Sequence, residues 1–262
     1  ELYREALERF GFGTTTKSGF PSESAGLMRN WRKWQPIDQA NIAFGQGVNV
    51  TAIQLVMAAA ALANQGERMR PRIILARRAG LGNWESIAPM SAGRTVEPST
   101  ATDVLKMMES VVSATGTGRL AALAGVQVAG KTGTAWKTRP EGGYGSEGDR
   151  DYVASFAGFL PADDPRLVVL VVVDEPSLAH YSGGRAAAPI FSEFAQFAVL
   201  QEKLGIDVYF ARPYHAWERG LNENTNGLLR QFFPKGTDFL RISHHEVART
   251  EKLLNERPRK RL

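Results

Sequence analysis

A chain of 262 residues, 43% of them hydrophobic, is long enough to bury a sizeable core, either as one large domain or as a domain with an appendage. The absence of cysteine excludes disulfides, thiolate metal sites and a cysteine nucleophile. The longest strongly apolar runs, 55–63 and 167–173, fall far short of the roughly 18 residues that a membrane span needs. The net charge of +5 is unevenly placed: residues 1–194 hold 20 Lys and Arg against 19 Asp and Glu, whereas residues 195–262 hold 12 against 8, together with His215, His244 and His245. That shift predicts a boundary near residue 195. Position 1 is Glu, and no basic and apolar leader precedes the first helical stretch, so the sequence predicts no signal peptide and a start that is a cut.

In chain order, residues 1–9 read as the end of a helix and 11–26 as a surface loop rich in Gly, Ser and Thr. The stretch through Trp31, Trp34 and Pro36 reads as a second loop. Residues 51–64 form a nearly all-apolar, Ala-rich helix without a polar face, expected to be buried and to end at Gly66. Residues 99–112 predict a helix opened by a Thr100–Asp103 capping box, with Val104, Leu105, Met107, Met108, Val111 and Val112 as its apolar face. Strands are predicted at 126–135, 152–160 and 167–174, the last a continuous apolar run of the kind expected of a central strand.

Beyond them, 187–203 reads as a helix, 206–210 as a short strand and 224–232 as part of a helix. Ser243 and Glu246 are spaced as a capping box for a last helix to about 255. Helices, then strands, then helices argue for an α+β fold in which helices cover an antiparallel sheet.

One strand carries chemistry. In Lys131-Thr132-Gly133-Thr134, Lys131 supplies fixed positive charge, Thr132 and Thr134 offer hydroxyls to a carboxylate, and Gly133 leaves a substrate room to lie along the strand. The same sequence holds Phe10-Gly11-Phe12-Gly13, Phe44-Gly45-Gln46-Gly47 with Thr51 and Gln54, and Gly116-Thr117-Gly118. It also holds Ser155-Phe156-Ala157-Gly158-Phe159, and Ser182-Gly183-Gly184 running on to Ala187-Ala188-Pro189-Ile190-Phe191.

In order and spacing, residues 1–192 resemble class B penicillin-binding proteins of the division type. The resemblance implies part of a penicillin-binding-protein or serine β-lactamase-like transpeptidase fold, a five-stranded sheet between helices. It implies D,D-transpeptidation of peptidoglycan stem peptides, inhibition by β-lactams, and division-complex proteins as partners. It also makes Lys131, Thr132, Gly133 and Thr134 the substrate-binding residues, with the Thr134 N–H as one of two oxyanion donors. In such enzymes Ser-x-x-Lys provides nucleophile and base, and Ser-x-Asn assists proton transfer.

Neither motif occurs in this sequence, where the nearest imitation is Thr14-Thr15-Thr16-Lys17. In the family both motifs lie in the part that would precede Glu1, as do the membrane anchor and the pedestal domain. The catalytic centre is therefore expected to be incomplete. By family the protein is anchored in the inner membrane with a periplasmic catalytic domain; a chain of these residues made alone is expected in the cytoplasm.

The remainder has a different character. It holds Val208-Tyr209-Phe210-Ala211-Arg212-Pro213-Tyr214, Trp217-Glu218-Arg219-Gly220 and Asn222-Glu223-Asn224-Thr225-Asn226-Gly227. Phe233-Pro234-Lys235-Gly236-Thr237-Asp238-Phe239 and Asn255-Glu256-Arg257-Pro258-Arg259-Lys260 follow. These residues resemble the last part of the catalytic domain of DDE-type insertion-sequence transposases, which implies a mainly helical tail from an RNase H-like integrase core. Glu223 matches that family's catalytic Glu, a remnant of the triad. Arg230, seven residues on, lies two helical turns away on the same face.

The second Asp should stand roughly 34 residues before Glu223 to share a metal pair. Pro189 occupies that position, followed by Glu193 and Phe194, which match the end of the family motif. The predicted domains are therefore 1–192 and 193–262. No cofactor is expected, since a divalent metal such as Mg2+ would bind only a complete transposase site. Weak, sequence-blind, salt-sensitive DNA binding is expected of Arg212, Arg219, Arg230, Lys235 and the basic cluster at 257–261.

Overall fold

The computed structural model describes residues 2–80, 82–139, 142–146 and 149–204, with 197–204 as backbone, and residues 243, 245, 246, 249, 250 and 252. The chain divides into two compact units, Glu1–Glu193 and Phe194–Leu262. The predicted strand at 206–210 and helix at 224–232 lie outside the described residues. No helix among the described residues is long and apolar enough to cross a membrane.

The first unit opens with α1 (Leu2–Arg9). The segment read as a second loop instead contains a 3-10 turn, Trp31–Lys33, and a helix, α2 (Pro36–Ala43). Pro36 takes the first helical position, where its missing N–H is not needed, and the Asp38 carboxylate accepts the Gln35 N–H at 2.9 Å. Flanking it, β1 (Leu27–Met28) pairs antiparallel with β2 (Val48–Asn49).

The predicted Ala-rich helix is α3 (Ala52–Ala63). Its capping box is complete: the Thr51 hydroxyl accepts the Gln54 N–H at 3.1 Å, and the Gln54 carbonyl oxygen accepts the Thr51 N–H at 2.8 Å. The same Gln54 amide donates to the Thr14 and Ala25 carbonyls at 2.7 and 2.9 Å, tying the early loop to the helix at a residue only 1% exposed. At the other end the Gly66 N–H reaches back to the Ala61 carbonyl at 2.8 Å, closing the helix where Gly66 was expected to stop it. Burial follows one stripe, Gln54, Ala58 and Ala61, rather than the whole circumference expected of an all-apolar helix.

After a projecting hairpin, in which β3 (Glu67–Met69) pairs with β6 (Ser91–Arg94) and β4 (Ala76–Arg77) with β5 (Glu85–Ser86), the chain enters α4 (Pro98–Val112). The predicted Thr100–Asp103 cap is not used. Pro98 has the fixed φ that suits a first helical position, so the helix starts before Thr100, which sits inside it. Its inward stripe begins at Ala101 and ends at Val112, and Met107, a turn away from that stripe, is 65% exposed.

Three antiparallel strands follow in the order β7-β8-β9: β7 (Ala129–Trp136), β8 (Tyr152–Leu160) and β9 (Leu167–Asp174). The described residues thus supply three of the five strands the resemblance implied, and β8 rather than the apolar β9 is the central one. β7 begins three residues later than predicted because Leu123 bridges to Val126 around Gly125, whose φ is +73°. Directly opposed residues share a face, so Ala129, Phe159 and Val168 lie together; Ala59 and Ala63 of α3 and Leu105 and Met108 of α4 pack over them.

Phe156 faces the other way and meets Phe191 edge-on at 4.9 Å, on the last helix, α5 (Gly183–Leu204). A side chain at Gly158 would lie 2.3 Å from the Phe191 ring, which is why the strand has none there. In the second unit, the Ser243 N–H and O–H donate to the Glu246 carboxylate at 2.8 and 2.7 Å, and the Glu246 N–H returns to the Ser243 hydroxyl at 3.3 Å, the predicted capping box.

The imitation motif at 14–17 lies in a loop. The Glu23 carboxylate accepts the N–H and O–H of Thr16 at 2.6 and 2.5 Å, and those of Ser18 at 3.2 and 3.0 Å. These bonds, the Thr16 hydroxyl first, hold the Glu23 carboxyl down at about 2. A carboxylate whose folded pKa is depressed stabilises the fold above its unfolded value of roughly 4.3, and that contribution fades as pH falls towards about 2. We expect an NMR titration of Glu23 to show a midpoint near 2, and Glu23→Gln to remove the loop's acid sensitivity in that window.

Candidate substrate-carboxylate site

β7 pairs with β8 along one edge only, and within the described residues its other edge is free. The register sets Lys131 opposite Ala157, Thr132 opposite Phe156, Gly133 opposite Ser155 and Thr134 opposite Ala154. The pleat therefore sends Thr132 and Thr134 to the face that α5 covers, with Lys131 and Gly133 on the alternate face.

Each hydroxyl has a fixed partner. That of Thr134 accepts the N–H of Gly183 at 3.1 Å, which satisfies the first amide of α5, a donor with no partner inside its own helix. The Thr134 O–H proton is left free to donate. The hydroxyl of Thr132 stands 3.1 Å from that of Thr117, so one donates to the other and one O–H remains available outward. The exposed Lys131 ammonium donates to the Thr132 carbonyl at 2.6 Å. An array of hydroxyl donors and a cation, with no carboxylate among them, suits an anion with two oxygens.

α5 can come this close because its first residues have no side chains. A Cβ at Gly183 would lie 2.2 Å from the Ser155 carbonyl oxygen and 2.4 Å from that of Gly133; one at Gly184 would lie 2.0 Å from the Thr117 carbonyl oxygen. Gly133 has a tight neighbour of its own. A Cβ there would stand 2.4 Å from the Ser155 hydroxyl, so a side chain at 133 would make Ser155 turn away.

At the far end of β7 a cavity of about 330 Å³ is lined by Arg29, Asp38, Phe44, Gln46, Trp136 and Tyr144, among others. Arg29 and Asp38 form an ion pair at 3.0 Å on its wall, and the Arg150 guanidinium lies 4.1 Å from the Trp136 ring centre. Lys137, next along the chain, is held by Asp174 and Glu175 at 2.8 and 2.6 Å, which raises its ammonium pKa above the usual lysine value. No group of three or more His, Asp or Glu among the described residues is placed to hold a metal ion.

Lys131, Thr132, Gly133 and Thr134 thus lie together on one strand, as their sequence adjacency required. The motifs around Thr117 and Gly183 converge on them, although neither was a predicted site position. The signal was present, a Thr between two glycines and a glycine pair opening a helix, but glycine at a close approach reads in sequence like glycine in a loop. Glu223, Arg219, Arg230 and Lys235 lie outside the described residues. We expect Thr134→Val, nearly isosteric, to leave the buried Gly183 N–H without an acceptor and to destabilise the first unit by about 1–3 kcal/mol in urea unfolding.

Residues 1–196 match the family description "Penicillin binding protein transpeptidase domain". The chain is 40% identical over 193 residues to the probable peptidoglycan D,D-transpeptidase PenA of Neisseria flavescens, covering 74% of this chain and 44% of that one. It is 36% identical over 188 residues to the peptidoglycan D,D-transpeptidase FtsI of Escherichia coli, covering 71% of this chain and 29% of that one. The crystal structure of penicillin-binding protein 3 of Mycobacterium tuberculosis superposes with a TM-score of 0.71 at 35% identity, covering 81% of this chain and 48% of that one. Its complex with aztreonam gives a TM-score of 0.70. The chain spans less than half the length of these relatives.

Proposed function

The chain belongs to the penicillin-binding protein transpeptidase family, and from that premise we propose that residues 1–192 provide the carboxylate-gripping half of a peptidoglycan D,D-transpeptidase site. The observation that carries this reading is the donor array on the edge of β7: Lys131, Thr132 and Thr134 around a strand whose free side can take an extended peptide. A stem peptide ends in a carboxylate, and a β-lactam presents one beside its reactive carbonyl. The strand would align either ligand while Lys131 and the two hydroxyls hold its charge. The Thr134 N–H is then a candidate oxyanion donor.

Acyl transfer also needs a nucleophile, its base and a second proton carrier. None of the 262 residues stands in a Ser-x-x-Lys or Ser-x-Asn arrangement, and the Thr16 hydroxyl is bound to Glu23. On this reading these residues recognise substrate but do not react with it; in a working enzyme at division they would join a periplasmic, membrane-anchored partner half. A fluorescent penicillin applied to the folded chain should leave no covalent band on a denaturing gel. Adding a polypeptide that carries both missing motifs should restore labelling, and Lys131→Ala should weaken the restored band. A stoichiometric band on the chain alone would mean that another serine is the nucleophile and would sink the reading.

For residues 193–262 the sequence motifs around Glu223 favour a remnant of a DDE transposase, and the chain would then be a chimera. With Pro189 at a metal-ligand position the remnant would hold no metal pair. Arg219, Arg230 and Lys235 would give DNA binding that falls steeply between roughly 50 and 200 mM salt. Mg2+-dependent nicking by the chain would overturn this account of the tail.

A further inference from the structure

The hairpin between α3 and α4 concentrates the charge of the first unit. Residues 67–94 hold six arginines, no lysine and two glutamates, a net +4, whereas the rest of residues 1–194 holds 14 cations against 17 anions, a net −3. The arm is continuous: Glu67 pairs with Arg94 and Met69 with Ser91, the Arg70 N–H reaches the Met90 carbonyl at 2.8 Å, the Ile87 N–H reaches the Leu75 carbonyl at 2.9 Å, and Arg77 pairs with Glu85. Among the described residues neither strand pair has a third member.

Ile73, Ile74, Leu75, Trp84 and Met90 on this arm are each more than half exposed. Among the described residues the Arg70 side chain has no partner, and Arg78 only covers the Trp84 ring at 5.2 Å.

A two-stranded ribbon is marginal alone and gains most from a third strand or a packed face. Proteins that guard a free edge against pairing place lysine, proline or a bulge on it; Pro71, Pro89 and the register shift between Glu67 and Met69 do so near the base of the arm, whereas residues 73–88 hold neither lysine nor proline. Here consecutive aliphatic residues stand among cations that are all arginine, whose planar fork matches carboxylates two bonds at a time and which is enriched, with Trp and Met, at protein interfaces.

We propose that this hairpin is a docking arm for an acidic, extended segment of a partner protein, which adds to it as a third strand. The partner's main chain pairs with the free edge, its aliphatic side chains cover Ile73, Ile74 and Leu75, and its carboxylates meet Arg70 and Arg78. The charge contrast within the unit steers such a segment to the arm rather than to the surface around it.

The test is fluorescence anisotropy of a fluorescein-labelled peptide of about ten residues that alternates Glu and Val, titrated with the full chain. The peptide should bind, and Arg70→Glu with Arg78→Glu should weaken it on the order of tenfold or more while the circular dichroism stays unchanged. Ile74→Ser should weaken it independently of charge. A peptide with alternate amides N-methylated should lose binding, because strand addition needs those N–H groups.

Three results would overturn the proposal. One is equal binding of the methylated peptide, which would mean charge alone. Another is no peptide binding beside clear binding to vesicles containing phosphatidylglycerol, which would mean a lipid surface. The third is a concentration-dependent dimer in sedimentation that the arginine substitutions abolish, which would mean a second copy of the chain.

Discussion

The approach of the first turn of α5 to the β7–β8 pair fixes the rest of the first unit. At Gly183 the helix backbone comes nearer to the Ser155 and Gly133 carbonyls than any side chain would allow, and its leading N–H is held by the Thr134 hydroxyl. That contact sets the height of α5 over the sheet, which about two turns later lets Phe191 meet Phe156 across Gly158. Burying two phenylalanines there stabilises the fold by roughly 1.5–3 kcal/mol each before entropy is counted. On the proposed reading the hydroxyl that anchors the helix would also face the ligand, so that recognition and folding would share a residue.

The two faces of the sheet do different work. Ala129, Phe159 and Val168 pack under α3 and α4 with no polar contribution, and that face is a core. The face under α5 carries Thr132 and Thr134 of β7 beside Phe156, which the neighbouring strand supplies. Close packing of the ring against Gly130, where a Cβ would lie 2.4 Å from Phe156, keeps β7 from shifting its register. A one-residue slip would move both threonines to the core face and the lysine to the helix.

How much of this could be read in advance depended on whether the signal was periodic. β8 and β9 matched their predicted limits because short, mainly apolar runs ended by charged residues and Pro have few other solutions. α2 escaped because aromatic residues and Pro36 resemble a loop until the proline is placed at the first helical position. The cap of α4 was misplaced for the same reason, Pro98 outranking Thr100. The arginine hairpin was invisible as an element because its strands are two to four residues long, although its charge was countable. Lys131 to Thr134 were legible as a candidate site from their residue chemistry; the approach of Thr117 and Gly183 to them needed the third dimension.

On the proposed reading, a donor array of this kind would let recognition persist where catalysis does not. Rate enhancement comes from interactions stronger in the transition state than in the ground state, whereas a carboxylate remote from the reacting carbonyl carries the same charge throughout. Lys131, Thr132 and Thr134 would therefore contribute orientation, and only the Thr134 N–H would meet charge that develops during the reaction. Orientation has chemical consequences only beside a nucleophile. On the proposed reading, the 262 residues hold a ligand in a geometry whose purpose is completed by atoms outside them.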